Sequence, residues 1–211
     1  LSLKARLDEL SHLLAVSEGV ASNLEAEDAV KPILEAAMRN GAALARVVLL
    51  REVVLNATSK RVVSFGLGRS SDLYAYLDEQ IFDLMTGQDI MTIPSTVRMR
   101  RLTFLNETQT PGAIIALALR HESIYFGTLW IAYHTPRNFS DEEIRYLSTL
   151  AAQAALAASN AKLYATAEIG RQRLEAVLNA TPEPVLVIDE QFRLLIFNEA
   201  ALKVPGLLLS P

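Results

Sequence analysis

The sequence predicts an α+β domain, within the broader α/β class, in which a central antiparallel sheet carries helices on its faces. Two observations lead to this prediction. Residues 113–119 and 125–133 are dense in aliphatic and aromatic side chains and are separated by a short polar turn, which is typical of paired strands in the middle of a sheet. Segments with helical spacing of apolar residues precede and follow these strands, so we expect long helices at both termini.

The amino-terminal segment has the apolar spacing of an amphipathic helix. Leucines occupy the a and d positions of a heptad at Leu3, Leu7, Leu10 and Leu14. This spacing suits a seam between two chains, and it suits equally a helix that packs on its own domain. A second helix is predicted over residues 27–40, where Gly41 ends it.

The middle of the chain alternates strand and helix patterns. Strands are predicted at residues 46–54 and 61–67, a helix at about 71–84 and a short strand at 90–93. An irregular stretch, residues 94–111, then precedes the two strong strands and contains Arg98, Arg100 and Arg101.

The clearest local signal is the start of the last helix. Ser140 stands at the N-cap position with Glu143 three residues later, and Phe139 can pack on Ile144 as a hydrophobic staple. The helix is predicted to reach about residue 179. Its heptad register, whose small side chains suit a close dimer seam, runs through Ile144, Leu147, Ala151, Ala154 and Ala158.

A short tail follows this helix. Residues 180–184 interrupt the helical pattern, and residues 185–189 with 193–197 predict a strand pair. About thirty residues cannot enclose a core by themselves, so we expect the tail to be the truncated start of another domain and the chain to be part of a longer protein.

Composition excludes several classes of chemistry. The 211 residues carry a formal net charge of −4 and no cysteine. The absence of cysteine excludes disulfides, thiolate metal sites, cysteine nucleophiles and covalently attached bilins, and the charge argues against nucleic-acid binding through a basic face. No apolar run has the length of a membrane span, and we expect a cytoplasmic protein or the cytosolic part of a membrane-anchored one.

Catalytic patterns are missing. There is no Gly-x-Ser-x-Gly elbow, and His12, His121 and His134 are scattered without the spacing of a catalytic or metal-binding group. The tripeptide Gly66-Leu67-Gly68 is too short a glycine pattern to predict a phosphate site, and turn geometry explains it. We therefore expect a protein that is not an enzyme by itself.

Three segments, together with the order of the predicted elements, follow the pattern of a known domain family. They are Asp28-Ala-Val-Lys-Pro-Ile-Leu-Glu-Ala-Ala, Phe126-Gly-Thr-Leu-Trp-Ile-Ala and Arg137-Asn-Phe-Ser-Asp-Glu-Glu-Ile-Arg-Tyr-Leu. This pattern resembles the GAF family of small-molecule sensor domains. The tail, from Arg173-Leu-Glu-Ala-Val-Leu-Asn-Ala-Thr-Pro to Ile196-Phe-Asn-Glu-Ala-Ala, resembles the opening of a PAS domain. The resemblance implies a GAF-like domain over residues 1–165, a linker helix over 166–180 and the start of a PAS-like domain over 181–211.

The GAF resemblance also implies a pocket between the sheet and the elements that cover one of its faces. Its apolar lining would be Phe65, Tyr74, Tyr76, Ile93, Met99 and Phe104. Its polar candidates would be Thr92, Arg98, Arg100 and Arg101. Aromatic residues at these spacings also suit an ordinary core, and the arginines also suit a solvated face.

The sequence departs from the better-known GAF subtypes. It has neither the Asn-Lys-x-Asp-Glu pattern of cyclic-nucleotide-binding members nor the cysteine and histidine contexts of bilin-binding ones, and the cysteine-dependent methionine sulfoxide reductases of this fold are excluded. No particular ligand or cofactor is implied.

Two functions remain in view. One is a sensory module of a multidomain signalling protein, such as a sensor histidine kinase of a two-component system, that binds a small molecule and passes the signal through its terminal helices to PAS and output domains in cis. The other is a ligand-free dimerisation module whose pocket is filled by Phe65, Tyr76 and Phe104. A homodimer is expected in either case.

Overall fold

The computed structural model describes residues 26–39, 41–54, 61–69, 71–105 and 110–204. The chain divides into two compact units, Leu1–Leu163 and Tyr164–Pro211. The predicted amino-terminal helix, with Leu3, Leu7, Leu10 and Leu14, lies outside the described residues. Within the described ranges, no helix combines the length and the apolar character that crossing a membrane requires.

The first unit is built around a five-stranded antiparallel sheet. Its strands are β1 (Leu44–Leu50), β2 (Val62–Leu67), β3 (Ile90–Ile93), β4 (Ala113–His121) and β5 (Ile124–Tyr133), in the spatial order β2-β1-β5-β4-β3. The helices are α1 (Ala26–Ala37), α2 (Asp78–Met85) and α3 (Asp141–Ala180), and α3 runs past the boundary between the units. The predicted α+β class with a central antiparallel sheet is confirmed.

One face of the sheet packs against α1 and α3. Strand side chains alternate between the two faces, so this layer takes every second residue of each central strand, including Val47, Leu117 and Ile131. The helices add their apolar sides, with Ile33 and Leu150 fully buried. We call this layer the first core.

The small-residue register of α3 belongs to the first core. Leu147, Ala151, Ala154 and Ala158 are buried there, and Ile144 packs against it. The dimer seam predicted for these positions is therefore already occupied within the chain. Their small side chains serve instead to bring α3 close to the sheet.

The opposite face of the sheet is covered by a 3₁₀ helix at Ser71–Leu77, by α2 and by the irregular segment after β3. We call this layer the second core. Its buried side chains are Leu44, Val48, Val62, Leu77, Ile81, Phe82, Met85, Met91, Ile93, Leu102, Ile114, Ala116, Trp130 and Ala132.

The N-cap predicted for the last helix is confirmed, whereas the Glu143 side chain bonds residues outside the helix. The main-chain N–H of Glu143 donates to Ser140 Oγ at 3.2 Å. The Glu143 carboxylate is buried and accepts from Tyr133 Oη at 3.2 Å and from Arg137 Nη2 at 2.8 Å. Burial and the nearby Glu143 carboxylate raise the pKa of Tyr133 well above its ordinary value. These contacts tie the first turn of α3 to the end of β5.

In the second unit, the later part of α3 is followed by the hairpin of β6 (Leu186–Ile188) and β7 (Leu194–Phe197). The turn between the strands is held by Asp189, whose Oδ1 accepts the main-chain N–H groups of Gln191 at 2.9 Å and Arg193 at 2.8 Å. The Arg193 guanidinium closes the turn by donating to Asp189 Oδ2 at 2.8 Å.

The turn between β4 and β5 provides a test of the sheet. His121 pairs with Ile124, and both intervening residues, Glu122 and Ser123, have left-handed φ angles of 48° and 68°. Hairpin turns of this shape favour Asn-Gly, and a left-handed conformation costs other residues about 1 to 2 kcal/mol each. We expect the double change Glu122→Asn and Ser123→Gly to raise the free energy of unfolding by about 1 kcal/mol in urea titrations.

A change in the opposite direction is the matched control. Glu122→Val places a β-branched side chain at the same left-handed position and should lower the free energy of unfolding. Equal urea midpoints for the two variants would show that the turn stores no strain.

Candidate functional site

The second core brings together five of the six residues predicted as the apolar lining of the pocket. Tyr74, Tyr76, Met99 and Phe104 are half-buried and pack against it, and Ile93 is buried within it. They come from the 3₁₀ helix, from β3 and from the irregular segment, so distant stretches of sequence converge on one face of the sheet.

The structure places the other predicted pocket residues elsewhere. Phe65 packs against the first core, because neighbouring strand residues point to opposite faces and Ser64 takes the second. For the same reason Thr92 is exposed although Ile93 is buried. Arg100 and Arg101 are exposed, and of Arg98 the structure describes only the backbone, at the end of a 3₁₀ turn.

A buried ion pair that the sequence analysis did not predict lies at the centre of this face. Arg46 and Asp78 are each 3% exposed. Arg46 donates from Nε to Asp78 Oδ1 at 2.8 Å and from Nη2 to Asp78 Oδ2 at 2.7 Å. It also donates to the carbonyl oxygen of Ser71 at 2.8 Å and to Ser64 Oγ at 3.0 Å, and the Trp130 indole donates to Asp78 Oδ1 at 2.9 Å.

Gly66 makes room for the Arg46 side chain. Arg46 stands between Gly66 of β2 and Trp130 of β5 in the sheet register. A Cβ atom at Gly66 would lie 2.6 Å from Arg46 Nη1 and 3.0 Å from Ser71 Oγ. The guanidinium cannot move aside without giving up its partners, so the position requires glycine for close approach.

The signal for this pair was present in the sequence. Arg46 is the one charged residue in the run Leu-Ala-Arg-Val-Val-Leu-Leu of β1. A charge inside a buried strand requires a partner, because an unpaired buried charge is costly. The sequence alone could not say that Asp78, thirty-two positions away, supplies it.

The irregular segment is fastened at both ends. The Thr96 hydroxyl donates to the carbonyl oxygen of Pro111, and the Thr96 N–H donates to Gly112 O at 3.1 Å. Further along, the Gln80 side chain of α2 bonds both main-chain groups of Thr103, accepting its N–H at 2.8 Å and donating to its carbonyl at 3.3 Å. Leu102 is thereby held in the second core.

The hydroxyl of Tyr76 is buried without a hydrogen-bond partner among the described residues. Its neighbour Tyr74 is half-buried, and burial together with the proximity of Tyr76 raises the pKa of Tyr74 above its ordinary value. A buried hydroxyl without a partner costs roughly 1 to 3 kcal/mol, which makes this atom the exception in an otherwise satisfied layer.

The end of the second core nearest the β4–β5 turn is closed by an aromatic pair. The rings of Phe82 and Tyr125 lie 5.1 Å apart, with Arg61 over Phe82 and Arg120 over Tyr125. Tyr125 Oη donates to the carbonyl oxygen of Phe82 at 3.2 Å and also bonds Thr128 Oγ1 at 2.6 Å. Burial raises the pKa of Tyr125 to about 12, so this hydroxyl remains a neutral, fully engaged group.

The described residues contain no cluster of three or more histidine, aspartate or glutamate side chains that could hold a metal ion. The second core offers an apolar layer, an engaged ion pair and a phenolic hydroxyl without a partner among the described residues.

Comparisons with known proteins define the fold. No protein-family model and no curated protein matches the sequence. Among solved structures, the GAF domain of a phosphoenolpyruvate-protein phosphotransferase from Acinetobacter matches with a TM-score of 0.52 at 15% identity, covering 76% of this chain and 96% of that one. The corresponding domain from Coxiella burnetii matches with a TM-score of 0.50 at 16% identity, covering 82% and 98%. A far-red absorbing protein with bound biliverdin IXa matches with a TM-score of 0.50 at 13% identity, covering 72% and 99%.

At these levels of identity the similarity is one of fold. The chain has a GAF-like fold, with a five-stranded antiparallel sheet between two layers of helices and connecting segments.

The contribution of the buried ion pair can be measured with Asp78→Asn. This change keeps the shape of the side chain but removes the buried counter-charge of Arg46, which keeps only the exposed Asp72 carboxylate, 3.8 Å from Nη1. We expect it to lower the free energy of unfolding by about 3 to 5 kcal/mol in urea denaturation. The matched control is Asp83→Asn, which removes the exposed Arg61–Asp83 pair and should cost less than about 1 kcal/mol. Similar losses for the two variants would contradict the special role of the buried pair.

Proposed function

We propose that this protein is a sensory and regulatory module that binds a small molecule in the second core, beside the hydroxyl of Tyr76. The module is regulatory rather than catalytic. The observation that carries the proposal is the buried Tyr76 hydroxyl, which has no partner among the described residues.

The physical argument begins with the cost of that hydroxyl. A buried donor without an acceptor destabilises the folded chain, and a ligand that accepts the hydrogen bond removes the penalty. Half-buried residues of the same layer, such as Met99 and Phe104, supply the apolar surface that most small-ligand sites use for affinity. A single polar group in such a setting fixes the orientation of the ligand.

The same layer limits the kind of ligand. The buried cation, Arg46, already uses four of its five N–H donors on Asp78, Ser64 and Ser71. Its charge is balanced by the bidentate Asp78 carboxylate, so it is not the group that would recognise an anionic ligand. Arg100 and Arg101 are exposed to solvent. The proposed ligand is therefore a mainly apolar, uncharged molecule that presents an acceptor to Tyr76.

Central strands provide a route from this site to the helices. β5 carries Trp130 in the second core and Leu129 and Ile131 in the first core, where they pack with α1 and α3. A ligand that favours one packing of the second core would shift the population of the arrangements available to the first.

The wider arrangement belongs to the same proposal. Residues 1–165 would form the sensor domain, residues 166–180 a signalling helix and residues 181–211 the start of a PAS-like domain. The output would be a histidine kinase or related domain in cis, in the cytoplasm. The resemblance of the tail to a PAS opening and the hairpin of β6 and β7 support this part.

The alternative is a ligand-free dimerisation module. The observation that favours it is the exposure of Leu156 and Leu163, which are 44% and 68% exposed on α3 and stand one heptad apart. Tyr76 and Phe104 do pack in the second core, as a filled pocket requires, whereas Phe65 packs in the first.

Tyr76→Phe tests the sensory proposal. Because the hydroxyl is unpartnered, its removal should leave the free energy of unfolding of the ligand-free chain unchanged or raise it by up to about 1 kcal/mol. Native mass spectrometry of freshly purified protein should show a small mass retained by the original chain. The variant should bind that molecule about tenfold more weakly, as expected from the loss of one hydrogen bond.

Tyr125→Phe is the matched control, since it removes a hydroxyl that has two partners. It should lower the free energy of unfolding by about 1 kcal/mol. If Tyr76→Phe were as destabilising as Tyr125→Phe, the Tyr76 hydroxyl would have a partner and the argument for a ligand would fail.

The double change Leu156→Glu and Leu163→Glu tests the alternative. Charged side chains at exposed positions of a helical seam prevent association without disturbing the core, so sedimentation velocity should report a monomer where the original chain is a dimer. Leu73→Glu, at a leucine 53% exposed outside α3, is the control and should leave the association state unchanged. A dimer that persists in the double variant would rule out this seam.

A further inference from the structure

Asn198 occupies the junction between the end of α3 and the hairpin, and it is only 1% exposed. Its Nδ2 donates to three main-chain carbonyl oxygens, those of Leu178 at 3.0 Å, Thr181 at 3.2 Å and Glu183 at 2.9 Å. Its Oδ1 accepts two main-chain N–H groups, those of Val185 at 2.9 Å and Ala201 at 3.1 Å. One side chain thus contacts the helix end, the connection, the residue before β6 and the first residue of the 3₁₀ helix Ala201–Lys203 that follows β7.

A second asparagine, Asn179 in the last turn of α3, makes a similar contact in the opposite direction. Asn179 Oδ1 accepts the main-chain N–H of Glu199 at 3.0 Å. The main-chain N–H of Asn198 itself donates to Val185 O at 3.2 Å. The last turn of α3 therefore bonds Glu199, two residues after β7, and Asn198, the residue directly after β7, bonds the last turn of α3.

The chemistry of the amide makes this contact directional. Both protons and both acceptor positions of the Asn198 side chain are used, and the N–H donors and carbonyl acceptors around it fix which atom is oxygen and which is nitrogen. Apolar packing alone lets one element slide on another, whereas a fully engaged buried amide allows one relative orientation.

We propose that Asn198 and Asn179 form a joint that makes the end of α3 and the β6–β7 hairpin move as one body. Asn198 is the positioning residue of this joint. A change in the direction of the helix then reorients the hairpin by the same amount. The signalling role proposed above requires such a coupling. The joint itself rests on contacts within the second unit and needs no ligand.

The test compares the same substitution at the two asparagines in the full chain. Asn198→Asp keeps the shape but replaces the donor with an oxygen that faces three carbonyl oxygens. Asn179→Asp keeps the acceptor that Glu199 uses. Amide hydrogen exchange, followed by NMR at single residues, reports the opening of the helix end and of the hairpin separately.

In the original chain we expect amides on the two sides of the joint to exchange through a common opening. In Asn198→Asp, exchange of the Val185 and Ala201 amides and of the last turn of α3 should all rise about tenfold or more, as expected from the loss of one or more buried hydrogen bonds. In Asn179→Asp, the exchange rates of the same amides should stay within about fivefold of those in the original chain. A change of that size is expected from a new negative charge at a helix end.

Separate openings of helix end and hairpin in the original chain would overturn the proposal. The proposal would also fail if only the hairpin amides exchanged faster in Asn198→Asp. Asn198 would then stabilise the hairpin without coupling it to the end of α3. Since no ligand enters the experiment, its outcome is independent of whether the second core binds one.

Discussion

The arrangement of the second core depends on the buried pair of Arg46 and Asp78. Two charges removed from water need hydrogen-bond partners beyond each other, and here Ser64, Ser71 and Trp130 supply them. The pair joins the inner strand β1 to the first residue of α2 and to the 3₁₀ helix before it. This link sets how closely α2 approaches the sheet, and it explains why Gly66 must lack a side chain.

The Tyr76 hydroxyl differs from this network because it is buried without a hydrogen-bond partner among the described residues. The polar groups that hold the cover of the sheet in place, including those of Gln80, Thr96 and Tyr125, have specific main-chain partners. The groups that hold the fold together are thus paired, and the Tyr76 hydroxyl is the group that the proposed ligand would engage. The exposure of Leu156 and Leu163 on α3 favours the alternative function, because exposed leucines on one helix suit association with another chain.

The candidate site could be predicted from sequence only in part. Tyr74, Tyr76, Ile93, Met99 and Phe104 do share one layer, because the order of elements dictates which segments cover that face. Phe65 and Thr92 lie on the other side of the sheet because strand side chains alternate, and the face taken by any one residue depends on register with neighbouring strands. The heptad of α3, which was predicted to form a dimer seam, lies in the first core instead. An apolar stripe faces whatever covers it, and here its alanines face the chain's own sheet.

The sequence by itself determined the elements whose causes are local. Periodicity and turn residues defined the strands and helices, the Ser140–Glu143 capping box located the start of α3, and the absence of cysteine removed whole classes of chemistry. Only the tertiary structure decided which side chains meet, since pairing of Arg46 with Asp78 and of Asn198 with the end of α3 joins positions that no local rule connects. A buried polar group specifies that it needs a partner, but the partner is chosen by the packing of the whole chain.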